Sequence, residues 1–434
     1  MRQPPITVAE LVRRRERLLR ALGRSVGVVF SGTGAPPLLG AWAADMNFVY
    51  LTGIADEAGA ALLLDPTAED PSRRLILFLR PLDPEQERWD GLRDPIDAGL
   101  KARTGFATVM RTGALPRMLT AAARRARRLA CLHPLAVYDA AVSPDLAVFR
   151  KLAERVPGVN IQDASRLLPG LRALKSPREL ELTERACAVT AAGYQRALAD
   201  IHPGSSEDRV ARTLREAFAG APGGGLAYNP IVGSGLRSTI LHYMANTEPL
   251  RAGELLLIDA GAMVDGYCCD VTRTYPVGGR FTSEQREVYE VVLRAQAAAI
   301  RAVRPGTPMH SVDAAARRVI VDAGFGDAFI HGIGHPLGLE VHDPVPDGPL
   351  KPGMIVTIEP GVYLPQRNLG VRIEDDLLVT RTGSRNLTVA IPKSVREVEA
   401  ALAAAATERS GRGARVRAPR SPSRLRAARP RAGR

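Results

Sequence analysis

Apolar residues recur at helical spacing from position 8 to 22, opposed by Arg and Glu, and the pattern stops at Gly23; this predicts an amphipathic helix. The period then changes. Short β-rich runs, SVGVVFSG, FVYLTG, AALLLDP and RLILFLRP, alternate with turns and with helical pieces such as residues 116–129. That order predicts a first α/β domain over residues 1–165. Residues 166–177 hold Pro169, Gly170 and the helix-start signal Ser176-Pro177, and read as a linker.

A second domain is predicted over residues 178–402. It opens with two helices, about 177–200 and 206–219, and a Gly-rich turn at 223–225 leads to Tyr228, Ile231 and the stretch TILHYMAN. Residues 255–275, LLLIDAGAMVDGYCCDVTRTY, read as a hairpin reversing near Val264-Asp265. A helix follows from a Thr282/Gln285 capping box to Pro305-Gly306, and another runs from Thr307-Pro308 to Gly324. The Gly-rich stretch FIHGIGHPLGLEVHDP precedes two strand-like runs, MIVTIEPGVYL and GVRIEDDLLVT, which carry Glu359 and Glu374. Helices, acidic hairpin, helices, acidic sheet: the order suggests an internally duplicated α+β domain, although no residue-level repeat accompanies it.

Composition changes this picture little. At 434 residues, two domains are the default, and 45% hydrophobic with 24% charged residues is ordinary for a globular chain. The net charge of +13 is concentrated at the end: ten Arg and no acid follow Glu408, so the rest carries +3. Residues 403–434, rich in Ala, Arg, Ser, Pro and Gly, are expected to be disordered. They lack interleaved aromatics, so at most a non-specific, salt-sensitive nucleic-acid contact is expected there. No run of about 18 apolar residues occurs, no signal-peptide pattern opens the chain, and the four Cys show no CxxC spacing. A cytoplasmic protein with reduced thiols and no membrane partner is the expectation.

The candidate chemistry is acidic. With a turn centred between Val264 and Asp265, Asp259 and Asp270 would be cross-strand partners, Cβ atoms roughly 4.5–5.5 Å apart. Like charges that close raise one pKa unless a cation intervenes. A proton-sharing dyad, a metal cradle and a solvated hairpin with two chance acids all remain open on these residues. Three of the seven His, His331, His335 and His342, fall within a dozen residues just before Glu359. Imidazole with several carboxylates is an oxygen-rich set suited to Mn²⁺, Co²⁺ or Zn²⁺ as Lewis acids. GIGHPLG is not a dinucleotide fingerprint, because Leu337 stands where the last Gly belongs.

The ordered series HYMAN, IDAGAMVDGYCCDVTRT, HGIGHPLGLEVHD, TIEPGVY and VRIEDD resembles the M24 metallopeptidases, in the branch of aminopeptidase P and prolidase. The resemblance implies a pita-bread catalytic domain behind a smaller α/β N-terminal domain, and two divalent ions, Mn²⁺ foremost with Co²⁺ or Zn²⁺ as alternatives. By resemblance the metal ligands fall on Asp259, Asp270, His335, Glu359 and Glu374, with Asp270 and Glu374 bridging. Glu359 is the implied proton shuttle, while His242, His331 and His342 match histidines that contact substrate or steady the tetrahedral intermediate. Arg372, Tyr363 and Trp89 match substrate-side positions, Trp89 reaching a neighbouring subunit's site in a dimer or tetramer.

The activity implied is hydrolysis of the bond between an N-terminal residue and a following proline by a metal-bound hydroxide. Alternatives are an Xaa-Pro dipeptidase and, in another class, a metal-free binding protein on the same scaffold. Three departures stand out. Asn47 occupies a position where some relatives carry Asp, expected to weaken recognition of the free amine. Pro336 follows His335 where an aromatic is common. Cys268, two residues before Asp270, either neighbours the metals or simply packs, and packing is the expectation.

Overall fold

The structure, a computed structural model, describes residues 5–32, 43–135, 138–139 and 141–417. The first helix is Val8–Leu22, capped by Thr7 and closed by Gly23 at φ 60°, as the periodicity predicts. A six-stranded mixed sheet follows in the spatial order Thr108–Arg111, Leu75–Leu79, Ala61–Leu64, Val26–Phe30, Arg128–Cys131, Asn160–Asp163. Val26, Val28, Ala61 and Leu63 pack on one face, while Val29, Leu62 and Leu64 pack on the other. Both faces are covered, which is why these runs are apolar throughout instead of alternating.

Two expectations fail here. FVYLTG is not a strand but the end of the helix Met46–Thr52: Asp45 accepts from the Asn47 and Phe48 amides, and Gly53 closes the helix in the left-handed region. End-capping outweighs the β-propensity of a short run. The helix expected over 116–129 is Leu115–Ala126, and Leu129 belongs to the next strand, because Arg127 at φ 57° ends the helix.

The stretch 166–177 is no loose tether. It contains the helix Leu167–Ala173, and its Arg172 is buried between the two halves of the chain. Arg172 donates to Asn47 Oδ1 at 2.9 Å, to Glu340 Oε2 at 2.5 Å and to Asp343 Oδ1 at 2.6 Å, with Lys175 Nζ 3.3 Å from Asp343 Oδ2. Asn47 therefore serves the joint and does not line the acidic cavity.

The second domain begins with the helices Pro177–Ala197, with a full Ser176/Glu179 capping box, and Glu207–Ala219. These precede the first hairpin, Leu255–Asp259 paired with Thr272–Pro276, and its extension Ala262–Val264 paired with Tyr267–Cys268. The helices Ser283–Ala302, with the Thr282/Gln285 box, and Met309–Asp322 precede a second hairpin. There Ile355–Ile358 pairs with Asp375–Val379, and Gly361–Leu364 with Leu369–Arg372. Each strand-like run expected near Glu359 and Glu374 is thus two strands, with the acids at the breaks.

Arg273, fully buried, ties the hairpins together. It donates to the Thr272 carbonyl at 2.9 Å, the Glu374 carbonyl at 2.5 Å and Asp375 Oδ1 at 2.7 Å. At the other end, the helix Val395–Arg417 continues past the expected boundary at 402. Ala405 is buried and Arg409 donates to the Ala199 carbonyl at 2.9 Å. Ala is the strongest helix former, so composition alone misplaced the end of order; residues 418–434 lie outside the described residues.

Candidate metal centre

Asp265 and Gly266 both have positive φ, 50° and 90°, and form the two-residue turn of the first hairpin. The turn therefore sits one residue later than Val264-Asp265. Asp259 faces Thr272, and Asp270 is its diagonal neighbour two positions on. The correction keeps both acids on one side, because side chains alternate with period two. Tyr228 Oη donates toward both carboxylates, so one hydroxyl reaches an oxygen of each.

The second hairpin keeps one register through its break, which sets Glu359 and Glu374 opposite each other between the Ile358/Asp375 and Gly361/Arg372 pairs. Glu374 accepts from Thr272 Oγ1 at 2.8 Å and its amide donates to the Thr272 carbonyl at 3.1 Å, joining the two hairpins at the site.

His335 arrives on an edge segment. The Thr357 amide donates to the His335 carbonyl and the Glu359 amide to the Ile333 carbonyl, at 2.9 and 2.8 Å. Gly334 makes the approach possible: at φ 155°, a Cβ there would lie 2.0 Å from the Thr357 carbonyl oxygen. The His335 Nδ1–H points to the Pro336 carbonyl at 3.0 Å, which leaves the Nε2 lone pair facing Asp270 Oδ2 at 3.5 Å and Glu359 Oε1 at 3.6 Å. The residue after the histidine thus acts through its backbone, so proline serves there.

These side chains line a cavity of about 280 Å³ with His242, His331, His342 and Arg372. His331 Nε2 is 2.8 Å from Tyr363 Oη, which accepts from Arg372 Nη1 at 3.0 Å. Arg372 further donates to Thr272 Oγ1 at 3.0 Å and Asp259 Oδ2 at 2.6 Å. Its fork is held by the protein, so it neutralises and orients acids. The His342 ring lies against His335, centroids 4.1 Å apart and tilted by 54°, and is exposed, as is His242.

Trp89 is 83% exposed on the helix Pro84–Asp90 and does not line this cavity within the single chain. Cys268 packs against Leu337 and Ile355, as expected. Tyr228, Thr272, Thr357 and Asp376 also shape the site, and no sequence motif points to them. Thr272 and Asp376 each stand two residues after an acid, Asp270 and Glu374, and strand alternation could have flagged them.

Burial, then Asp259, pushes the Asp270 carboxyl well up; burial, then Asp270 and Glu359, does the same to Glu374. Burial pushes Glu359 up to about 7. Burial also pushes His331 and His335 down to about 4, keeping both imidazoles neutral. Crowded carboxyls that resist ionisation beside a neutral imidazole fit divalent cations: Asp270, His335 and Glu374 each offer a donor atom within 4.8 Å of the others. Asp259 and Glu359 complete the set that would hold such ions.

Stability without metal should depend on pH in a defined direction. Glu359 titrates near 7 folded and near its ordinary 4.5 unfolded, so the folded chain binds more protons between them and stability falls as pH rises. Asp270 and Glu374 act with the same sign. His331 and His335 oppose this only below the ordinary imidazole value of 6.5, where the unfolded chain charges first. The thermal midpoint of metal-free protein should therefore drop from pH about 6.5 to about 8, and saturating Mn²⁺ should remove the slope. A flat midpoint in chelator contradicts the clustering of uncompensated acids.

Comparison with known proteins agrees with this geometry. Residues 181–381 match metallopeptidase family M24, and residues 11–130 match the aminopeptidase P N-terminal domain. The Xaa-Pro aminopeptidase of Haemophilus influenzae is 34% identical over 392 residues, 82% of this chain and 87% of that protein. The Xaa-Pro dipeptidase of Pyrococcus furiosus is 38% identical, over only 51% of this chain and 65% of its own length. The solved structure of Pseudomonas aeruginosa aminopeptidase PepP superposes with TM-score 0.82 at 31% identity, covering 93% of this chain and 99% of that one. With the acid–imidazole centre in place and similarity running through both domains, the chain belongs to metallopeptidase family M24, with an aminopeptidase P N-terminal domain ahead of a divalent-metal peptidase domain.

Proposed function

We propose that the protein is an Xaa-Pro aminopeptidase, removing the first residue from peptides whose second residue is proline and using two divalent ions, Mn²⁺ foremost. The observation that carries this reading is the convergence of Asp259, Asp270, His335, Glu359 and Glu374 on one cavity rimmed by His242, His331 and His342. Bound there, divalent ions supply Lewis acidity toward the scissile carbonyl and acidify water.

The chain's own residues do the rest. Glu359, on the cavity wall beside His335, accepts a proton from the attacking water and delivers it to the departing proline nitrogen. His331, neutral and held between the Gly332 carbonyl and Tyr363 Oη, orients the tyrosine, and the exposed His242 and His342 offer donors to substrate oxygens. An adjoining cavity of about 260 Å³ shares Asp259, Asp270, His242 and His342 and adds Ile231, Met244 and Val341, giving an apolar side-chain berth. An Xaa-Pro bond has no amide hydrogen, so a site working through metal and imidazole suits it. Trp89 and Leu92, 83% and 92% exposed, support a homo-oligomer in which this surface meets another copy. Buried, unpaired cysteines suit a cytoplasmic address.

The match of residues 11–130 to the aminopeptidase P N-terminal domain favours the aminopeptidase over the dipeptidase. Tripeptides of type Xaa-Pro-Xaa should be turned over with Mn²⁺. Cleavage confined to Xaa-Pro dipeptides would make the protein a prolidase; absence of bound metal, with no rescue by Mn²⁺, would make it a binding module.

A further inference from the structure

Behind the acid centre lies a second cluster that peptide hydrolysis does not use. Cys187 comes from the helix Pro177–Ala197, Cys269 from the bend immediately before Asp270, and Asp376 from the strand Asp375–Val379. One atom from each lies within 4.8 Å of the other two, and all three residues are buried. Cys187 Sγ is 3.7 Å from Asp376 Oδ2, and Cys269 lies against Cys187, Thr190 and Asp376. Asp376 Oδ1 is buried with no hydrogen-bond partner among the described residues, an arrangement proteins ordinarily avoid unless the group has a further use. Two sulfurs, a carboxylate and a neighbouring hydroxyl form a soft donor set, unlike the oxygen–imidazole centre in front of it.

We propose that Cys187, Cys269 and Asp376 form a second cation site, selective for thiophilic divalent ions such as Zn²⁺ and Cd²⁺, whose occupation inhibits the catalytic centre. The coupling is short. Asp376 Oδ2 accepts the Asp270 amide at 3.1 Å, and Cys269 is covalently next to Asp270. An ion that draws the Asp376 carboxylate and the Cys269 sulfur onto itself takes away the anchor of the Asp270 backbone. Two thiol protons leave to solvent as the two metal–sulfur bonds form. Because the triad is closed to solvent, the ion enters by local opening, and binding develops over time after mixing.

The test is titration of Mn²⁺-loaded protein with Cd²⁺, followed by sulfur-to-cadmium charge-transfer absorption and by peptide turnover in the same samples. One Cd²⁺ per chain should produce the band, and turnover should fall about tenfold or more as it grows. Cys269→Ser and Cys187→Ala should each abolish the band and spare turnover from Cd²⁺, while remaining active with Mn²⁺ alone. No band in the wild-type protein overturns the site, and so does a band that survives in both variants, since Cys131 or Cys268 would then be its source. Inhibition without a band places Cd²⁺ at the catalytic acids and overturns the coupling. The band rests on the triad alone and the inhibition on the peptidase reading, so failure of one is distinguishable from failure of the other.

Discussion

Asparagine at Asp270 should lower turnover of an Xaa-Pro-Xaa peptide by about 10³-fold or more, even in excess Mn²⁺. The same change should raise the thermal midpoint of the metal-free protein. Both follow from one carboxylate in one place. Asp270 accepts from Tyr228 on one oxygen, faces His335 Nε2 at 3.5 Å on the other, and has its amide held by Asp376. It is the acid that both hairpins crowd, and burial with Asp259 beside it disfavours its charge. Removing that charge relieves repulsion in the free chain and removes a proposed ligand from the loaded one. Glu374→Gln should behave alike, and metal should no longer raise the midpoint of either variant. Retained turnover in either would overturn the assignment of the centre.

Arg273→Met should cost about 3–5 kcal/mol in the unfolding transition of the second domain, read by urea denaturation. The guanidinium is fully buried and makes contacts that water cannot replace. It bonds the carbonyls of Thr272, Glu374 and Ile391, and its ion pair with Asp375 measures 2.7 Å. Burial alone would push Asp375 up, but Arg273 and Lys393 outweigh it and hold the carboxyl down to about 2. Without Arg273, Asp375 keeps, among the described residues, only Lys393 and Gln296 as charge or amide partners. Arg273→Met/Asp375→Leu should regain part of the loss, because removing both charges leaves no buried ion uncompensated. A loss below about 1 kcal/mol in the single variant would mean that sheet packing alone joins the hairpins.

Much of this was legible because local signals agreed with the global fold. The Ser176/Glu179 and Thr282/Gln285 capping boxes mark two long helices in four-residue windows, and the four acids and His335 that line one cavity stand in motifs short enough to recognise. What failed depended on competition or distance. FVYLTG has β-propensity, but Asp45 and Gly53 cap it as a helix. The turn at Asp265-Gly266 was placed a residue early, since the favoured dipeptide competes with a neighbouring apolar-acidic pair. Tyr228, 31 residues before Asp259, reaches the acids only through the fold, and no periodicity connects them. The resemblance assigns Asn47 to substrate, yet its partner Arg172 lies 125 residues away, in a stretch whose Pro and Gly read as a linker.

The same two hairpins set an order of assembly. Asp259 and Asp270 are joined by a loop of ten residues carrying its own favoured turn, a unit of the kind that forms within about 1–10 μs. Glu359 and Glu374 belong to a second such unit, about a hundred residues later, and the two meet only when Thr272, Arg273 and Glu374 engage. The loop closed by that meeting is long, so its entropy must be met before any long-range contact rewards it. Each half-site is thus available early with two acids and too few ligands, and the complete centre exists only after docking. Metal retention should accordingly report docking of the two hairpins, since a chain stalled before it carries the right residues without the assembled cavity.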